Sequence, residues 1–351
     1  MAIASPTTSS DIDWDLYVPK EETAEIEAAA REHFSALFSP GDVRAAVAGE
    51  TLDHLWPAIV EQGYTAIGLP GDADGLGSLV DLAAVLEQAG RSLLPVPLLA
   101  TAAAVQTLLA VGVPVHEPPS QPATLARRGR SGGWLCFDGR SAATAVAVVA
   151  KSGGGCRIRV LSLESTDRVP LDAVDAARTD VVVDDSVTLL AEHETDADVD
   201  AVLASARVCA AADLVGIAAG ALEGGIRHAL TREQFGRTIG SFQAVKHLLA
   251  DAYVLVERAR SLTVGASVEA SREPLGSTAG HLAMLAKAAA TDAATKCAEL
   301  QVQLLGAMGL TWESDAPLFV RRARHTGPFL GTADELYERV AAEALTEGAA
   351  R

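Results

Sequence analysis

The chain reads as a mainly helical protein with a small β domain set in its middle. Three observations point there. Residues 1–119 carry apolar side chains at helical spacing. Residues 120–196 switch to short β-branched runs between turns. Residues 197–351 return to long apolar stretches broken by a few glycines and prolines, the pattern of a four-helix bundle. The order is therefore an N-terminal helical domain, a middle β domain and a C-terminal four-helix bundle.

In the first domain, Ala24 to Phe38 and Leu52 to Gln62 repeat apolar residues every three to four positions. Pro70 to Gly75 is a turn. Its Asp72 and Asp74 superficially suggest a calcium loop, but a third acidic ligand and the closing glutamate are missing, so the turn reads as solvated. A helical run follows from Leu79 to Ala89. Leu93 to Val113 is apolar, yet Pro95, Pro97 and Pro114 punctuate it, which predicts a buried helix and not a membrane span. In the middle domain, Trp134 to Phe137, Ala143 to Ala150, Arg157 to Leu163 and Val181 to Asp184 read as strands. Lys151 to Gly155 reads as a hairpin turn, because a phosphate-cradling loop needs Gly-Lys-Ser/Thr opening a helix. The last domain holds helices over 199–231, 242–271, 278–306 and 333–347, with Pro274 and Gly276 separating the second from the third.

Bulk properties narrow the function. Hydrophobic residues make up 49% of the chain but aromatics only 4%, so the core relies on Ala, Val and Leu. A formal net charge of -18 argues against nucleic acid and against anionic lipid as partners. Cys136, Cys156, Cys209 and Cys297 are widely spaced with no CxxC, which argues against zinc. Cys209 and Cys297 sit in apolar helical patterns and read as buried thiols. The amino terminus is polar and acidic without a signal pattern, and a cytoplasmic location is the simplest expectation.

The most informative stretch runs from Arg232 to Gln243, Arg-Glu-Gln-Phe-Gly-Arg-Thr-Ile-Gly-Ser-Phe-Gln. It gathers a cation, two aromatics and amides at the junction of two long helices, broken at Gly236 and Gly240. Such a junction suits a pyrophosphate and a planar ring system, or is a surface hairpin with incidental charge.

This stretch resembles the R-x-x-F-G-x-x-I-x-x-F-Q signature of acyl-CoA dehydrogenases, flavoenzymes that desaturate acyl-CoA thioesters. Gln303-Leu304-Leu305-Gly306-Ala307-Met308-Gly309 is similar to the family's Q-x-L-G-G-x-G segment. Leu55-Trp56 through Gly63, Gly68-Leu69-Pro70 and Glu87 to Arg91 are similar to its opening domain. The resemblance implies an acyl-CoA dehydrogenase-like fold, with FAD in the cleft between the β domain and the bundle. The flavin takes a hydride from the β carbon, and a glutamate with a raised pKa takes the α proton.

Both positions implied for that base are apolar. The family places a glutamate before a Gly-Thr pair; here the pair is Gly331-Thr332 and the preceding residue is Leu330. A minority places it before an arginine on the first bundle helix; the motif count lands on Arg207, preceded by Ala206. Glu335 is the one nearby candidate for a displaced base, with Asp334 beside it, although acidic residues there commonly serve the helix dipole. The flavin-ring loop Thr-Glu-Pro-Gly-x-Gly-Ser-Asp and the Trp-Ile-Thr segment are also missing. Thr124 to Ser131 reads Thr-Leu-Ala-Arg-Arg-Gly-Arg-Ser, Ala143 to Val146 holds no tryptophan, Trp134 comes too early, and the domain is shortened.

What remains are the residues with which a family member reaches the ADP portion of its neighbour's flavin. By motif match these are Arg232, Gln234, Phe235, Phe242, Gln243, Gln303, Leu304, Leu305, Gly306 and Ala307. Ala307 replaces a glycine; Thr332 keeps a flavin-contacting threonine, while Asp334 replaces a glutamine. Arg232 suits a pyrophosphate through paired charge-assisted hydrogen bonds. The pattern resembles the smaller, non-catalytic subunit of actinobacterial heterotetrameric (α2β2) acyl-CoA dehydrogenases. That implies FAD shared with a catalytic partner subunit and a bulky acyl-CoA substrate such as a steroid remnant. The alternatives are a self-sufficient homotetramer with Glu335 as base and a non-enzymatic interaction module. The alanine-rich faces of residues 208–226 and 279–294 are expected to seek partners in a dimer of dimers.

Overall fold

A computed structural model describes residues 17–18, 20–130 and 132–349. Residues 1–16 of the polar amino terminus, and Ser131 of the Arg-rich run, lie outside the described residues. Helices α1 (Glu21–Leu37), α2 (Pro40–Val47), α3 (Trp56–Glu61), α4 (Leu79–Ser92) and α5 (Leu98–Ala110) form the first layer. The α2 helix was not expected. Its signal is a capping box, in which Ser39 and Asp42 satisfy each other's backbone N–H groups and Pro40 occupies the first turn. A second box, Ser78 with Asp81, opens α4. The same Asp81 carboxylate accepts a 2.6 Å hydrogen bond from Thr23 of α1, so one cap also joins two helices. Asp72 and Asp74 are exposed on their turn.

Seven strands form one sheet: β1 (Ala123–Arg128), β2 (Trp134–Cys136), β3 (Thr144–Ala150), β4 (Cys156–Ser162), β5 (Val169–Pro170), β6 (Val181–Val183) and β7 (Thr188–Thr195). Their spatial order is β5-β6-β2-β1-β3-β4-β7, antiparallel except where β1 runs parallel to β3. The glycine turn does close a hairpin. Lys151 N donates to Gly155 O at 3.0 Å, and Gly154 and Gly155 take φ of 97° and 71°. β1 and β7 escaped the sequence reading. The first four residues of β1 are all buried and give no alternation, while all but the last residue of β7 are exposed at the sheet edge.

The C-terminal layer holds α6 (Val199–Val202), α7 (Ala204–Thr231), α8 (Gln243–Arg272), α9 (Ser277–Leu305), α10 (Ala316–Thr326) and α11 (Ala333–Ala349). A two-residue ribbon, β8 (Glu233–Gln234) and β9 (Arg237–Thr238), joins α7 to α8. α10 is an addition to the four expected helices. Its Arg-Arg-Ala-Arg-His run reads as surface, yet Arg322 is buried and paired.

α7 is the central helix. It is long and apolar enough to cross a membrane by length and composition, yet its whole apolar window is buried inside the protein. It packs against α9 and α4. This overturns the reason given for assembly: the alanine faces at 208–226 and 279–294 are consumed within one chain. Small residues allow it. A Cβ on Gly216 would stand 1.9 Å from Glu87 O of α4, and one on Gly90 would stand 2.0 Å from Asp213 O.

Candidate flavin-contact site

Arg232 sits where α7 gives way to extended chain, with φ -75° and ψ 125°. Its backbone is fixed from both sides. Arg232 N donates to His228 O, and Ile239 N donates to Arg232 O, each at 2.8 Å. The intervening ribbon turns through Phe235 at φ 54° and Gly236 at φ 76°. Two successive positive φ values match the twist of a tight hairpin, and only the second position is a glycine. Phe235 accepts this strain and projects outward, 93% exposed. Phe242 stands edge-on to it at 6.2 Å, and the Arg237 guanidinium lies 4.0 Å over the Phe242 ring. Arg237 was not singled out from sequence.

The Arg232 side chain is exposed, and among the described residues no carboxylate stands within ion-pair distance of it. His228, one turn back, is held below its ordinary pKa by burial and by the Arg232 charge. The Gln234 amide donates to Glu233 O at 2.6 Å. Gln243 opens α8 and is exposed. Gln303, Leu304 and Leu305 form the last turn of α9, which Gly306 ends at φ 63°; Ala307 follows, exposed. The end of α9 packs against the helix that leads into the ribbon: a Cβ on Gly225 of α7 would meet Leu304 at 3.1 Å and Leu249 of α8 at 4.0 Å.

The two base positions also meet. Ala206 is buried on α7, and the next residue, Arg207, donates from Nε to Leu330 O at 3.2 Å. Arg207 also binds Asp200 through Asp200 O at 3.1 Å and Oδ1 at 2.6 Å. Leu330 is in the left-handed region at φ 63°, which costs a leucine on the order of 1 kcal/mol. A second buried cation holds the turn. The Lys287 ammonium donates to Gly327 O and to Gly331 O, the latter at 2.7 Å. Burial, and then the Arg207 charge, pull Lys287 down to about 7.

Thr332 and Glu335 form a capping box at the start of α11. Thr332 N donates to the Glu335 carboxylate at 2.9 Å, and Glu335 N donates to Thr332 Oγ1 at 3.3 Å. Those bonds from Thr332 hold the Glu335 carboxyl below its ordinary range, and the side chain is exposed. Asp334 is exposed in the same first turn.

Between the sheet and the bundle, Phe137 and Phe329 stack at 3.8 Å with 12° between their planes, and His325 stacks on Phe137 at 5.4 Å. Buried ion pairs surround them. Arg178 grips Asp213 at 2.7 and 2.9 Å and donates to Thr326 at 2.7 Å. Arg322 pairs with Asp175 and donates to Leu94 O at 3.1 Å. Burial raises Asp138 to about 6, against the opposing charges of Arg178, His325 and Arg322. Trp134 lies elsewhere, in the sheet's own core with Cys136 and Leu161, its ring 4.7 Å from the Arg128 guanidinium. The contacts of Lys287 and Phe329 went unread in the sequence. A lysine inside an alanine-rich helix was the available signal for the first.

A helical layer, a mixed sheet and a helical bundle with this ribbon define a flavoprotein-dehydrogenase architecture. Residues 198–345 match the C-terminal domain of acyl-CoA dehydrogenases. Over 335 residues the chain is 30% identical to acyl-CoA dehydrogenase IpdE2 of Mycobacterium tuberculosis, spanning 93% of this chain and 98% of that protein. The chain belongs to the acyl-CoA dehydrogenase family. Among solved structures, a steroid ACAD, Tcur3481-Tcur3483, superposes with a TM-score of 0.81 at 25% identity, covering 94% of this chain and 99% of that one. The ChsE4-ChsE5 complex from Mycobacterium tuberculosis shares the fold with a TM-score of 0.79 at 20% identity, over 94% of this chain and 98% of that one.

Proposed function

We propose that this chain is the non-catalytic subunit of a heterotetrameric acyl-CoA dehydrogenase and completes the FAD site of a catalytic partner. The observation that carries the reading is the turn at Leu330. Both base positions are apolar, and buried cations spend their hydrogen bonds fixing the backbone there. Such a turn holds a shape and offers no carboxylate at either base position. Phe137 and Phe329 stack against each other between sheet and bundle, which supports a flavin ring seated in the other subunit.

The donor residues fit the other end of the cofactor. Arg232 offers an exposed guanidinium, suited to two parallel bonds to a pyrophosphate. Phe235 and Phe242 offer ring faces and edges, Gln234 and Gln243 offer amides, and Gln303 to Ala307 offer a helix end with small residues for close approach. Thr332 retains a hydroxyl hydrogen to donate while its oxygen caps α11. Bound FAD supplies the hydride acceptor. This chain's residues bind and orient its ADP end.

Two solved relatives carry paired subunit names, and one is described as a steroid ACAD. By that likeness the substrate class is a bulky acyl-CoA, including steroid remnants, and the setting is cytoplasmic lipid catabolism. A homotetramer using Glu335 is the weaker reading, because an exposed carboxylate engaged in a cap lacks the shielding that a raised pKa requires. Co-expression with an adjacent dehydrogenase gene, followed by an absorbance spectrum, tests the proposal. A flavin spectrum in the complex and none in this chain alone is expected; a yellow, active single chain overturns it.

A further inference from the structure

Four aspartates and two arginines meet where the sheet joins the bundle, and only two of the aspartates are matched by an arginine. Arg178 grips Asp213 of α7, and Arg322 of α10 pairs with Asp175; all four side chains are at most 3% exposed. Asp138, just after β2, is buried as well. Among the described residues no cation stands within ion-pair distance of its carboxylate. Asp180, just before β6, accepts the Asp138 N–H at 2.9 Å, and its own carboxylate lies 3.3 Å from His325 Nε2.

These charges tie one segment, residues 175–180, to every layer of the fold. Arg178 reaches α7 and Thr326 of α10, while Asp175 reaches Arg322, which also donates to Leu93 O and Leu94 O of the first layer. Asp180 holds the backbone of Asp138, the residue after Phe137, whose ring stacks on Phe329 and His325. Both arginines stay charged, so they neutralise Asp175 and Asp213 and no more. Two carboxylates then face one imidazole in a place that salt and water screen poorly. Arg168 adds no free cation, because its guanidinium donates to Gly139 O, Arg140 O and Leu163 O. The Cys136 thiol, which feels both Arg168 and Asp180, is pushed up to about 12 by burial and stays neutral. Burial above all, with the Asp180 charge adding to it, raises Asp138 to about 6 in spite of Arg178, His325 and Arg322.

We infer that Asp138, set against Asp180, is a proton-operated latch between sheet and bundle, which mild acid tightens and neutral pH loosens. The latch belongs to this chain alone and does not depend on the proposed heteromer. A proton on Asp138 removes one of two like charges, and the Arg178 and Arg322 pairs are left intact. The sign follows from the two states of the junction. A closed junction binds this proton below about 6, whereas an opened one returns the carboxyl toward its ordinary 3.8. Closed protein therefore carries more protons between those values, and closure strengthens as pH falls through about 6.

Hydrogen exchange on the full chain, corrected for the intrinsic effect of pH, reads opening at the amides of residues 137–140 and 178–183. In the parent, opening there is expected to fall by about fourfold between pH 7.5 and 5.5. Asp138→Asn keeps the shape, suits the left-handed backbone at φ 47° and cannot titrate. At pH 7.5 it should already show the protection that the parent reaches at pH 5.5, with the pH response gone. Asp180→Asn is the second variant. Its amide oxygen still accepts the Asp138 N–H, and removal of the like charge should shrink the response. Amides of α8 at residues 251–262 serve as the reference and should not follow. Opening that ignores pH or grows in acid overturns the inference. So does an acid response that survives unchanged in Asp138→Asn, or one shared equally by α8, which would be a change in global stability.

Discussion

Lys287 stands in the protein interior with two carbonyl acceptors and, among the described residues, no carboxylate bonded to it, and burial draws it from an ordinary 10.5 to about 7. Between those values the unfolded chain binds more protons than the folded one, so stability rises as pH climbs from about 7 to about 10.5. Below about 7 the buried charge imposes its full cost. The limiting slope is about 1.4 kcal/mol per pH unit. Urea unfolding of the parent and Lys287→Met at pH 6.5 and 9 checks this; a stability gap that ignores pH removes Lys287 as the cause. Arg232 makes the opposite case, an exposed cation proposed to meet a pyrophosphate. Arg232→Ala is expected to weaken flavin retention in the complex by about 2–4 kcal/mol, read as the flavin-to-protein ratio after dialysis. An unchanged ratio refutes the role. The place of Arg232 at a helix end was legible from the breaks at Gly236 and Gly240. Lys287 and Phe329 act through backbone carbonyls and a distant ring, which spacing does not encode.

At the level of elements, the α4–α7 contact sets the tolerance of the fold. Gly216→Ala brings a methyl to 1.9 Å from Glu87 O and 2.7 Å from Arg91 N, so the helices must separate. A loss of about 1–3 kcal/mol is expected. Gly265 of α8 is the control, because among the described residues nothing stands within 4 Å of its missing Cβ. Gly265→Ala should instead gain about 0.5–1 kcal/mol from helix propensity. Thermal melts of both variants decide; equal shifts would deny the close packing. This contact was beyond sequence reading, since a glycine in an alanine-rich helix looks the same whether or not a backbone presses on it. The long helices were legible from period and breaks. α10 was not, because its buried Arg322 finds Asp175 across 147 positions of chain. β1 was hidden by burial on both faces, and β7 by exposure on both.

For the whole molecule, the decisive question is where the proton-accepting carboxylate resides. The α7 and α9 alanine faces close on each other, so one chain satisfies its own bundle core. Phe137 and Phe329 stack between its sheet and its bundle, with buried ion pairs nearby. A chain so completed should purify colourless and should not oxidise acyl-CoA, since a missing general base typically costs about 10² to 10⁴ in rate. In the active complex, Glu335→Gln isolates the one nearby carboxylate. Glutamine still accepts the Thr332 N–H, so the cap and α11 should survive the change. Turnover is therefore expected to stay within about twofold of the parent, with flavin content intact. A collapse in turnover with flavin retained would make Glu335 the base and return catalysis to this chain. Unchanged turnover would leave the partner subunit to supply the carboxylate, as the apolar pair Leu330 and Ala206 requires.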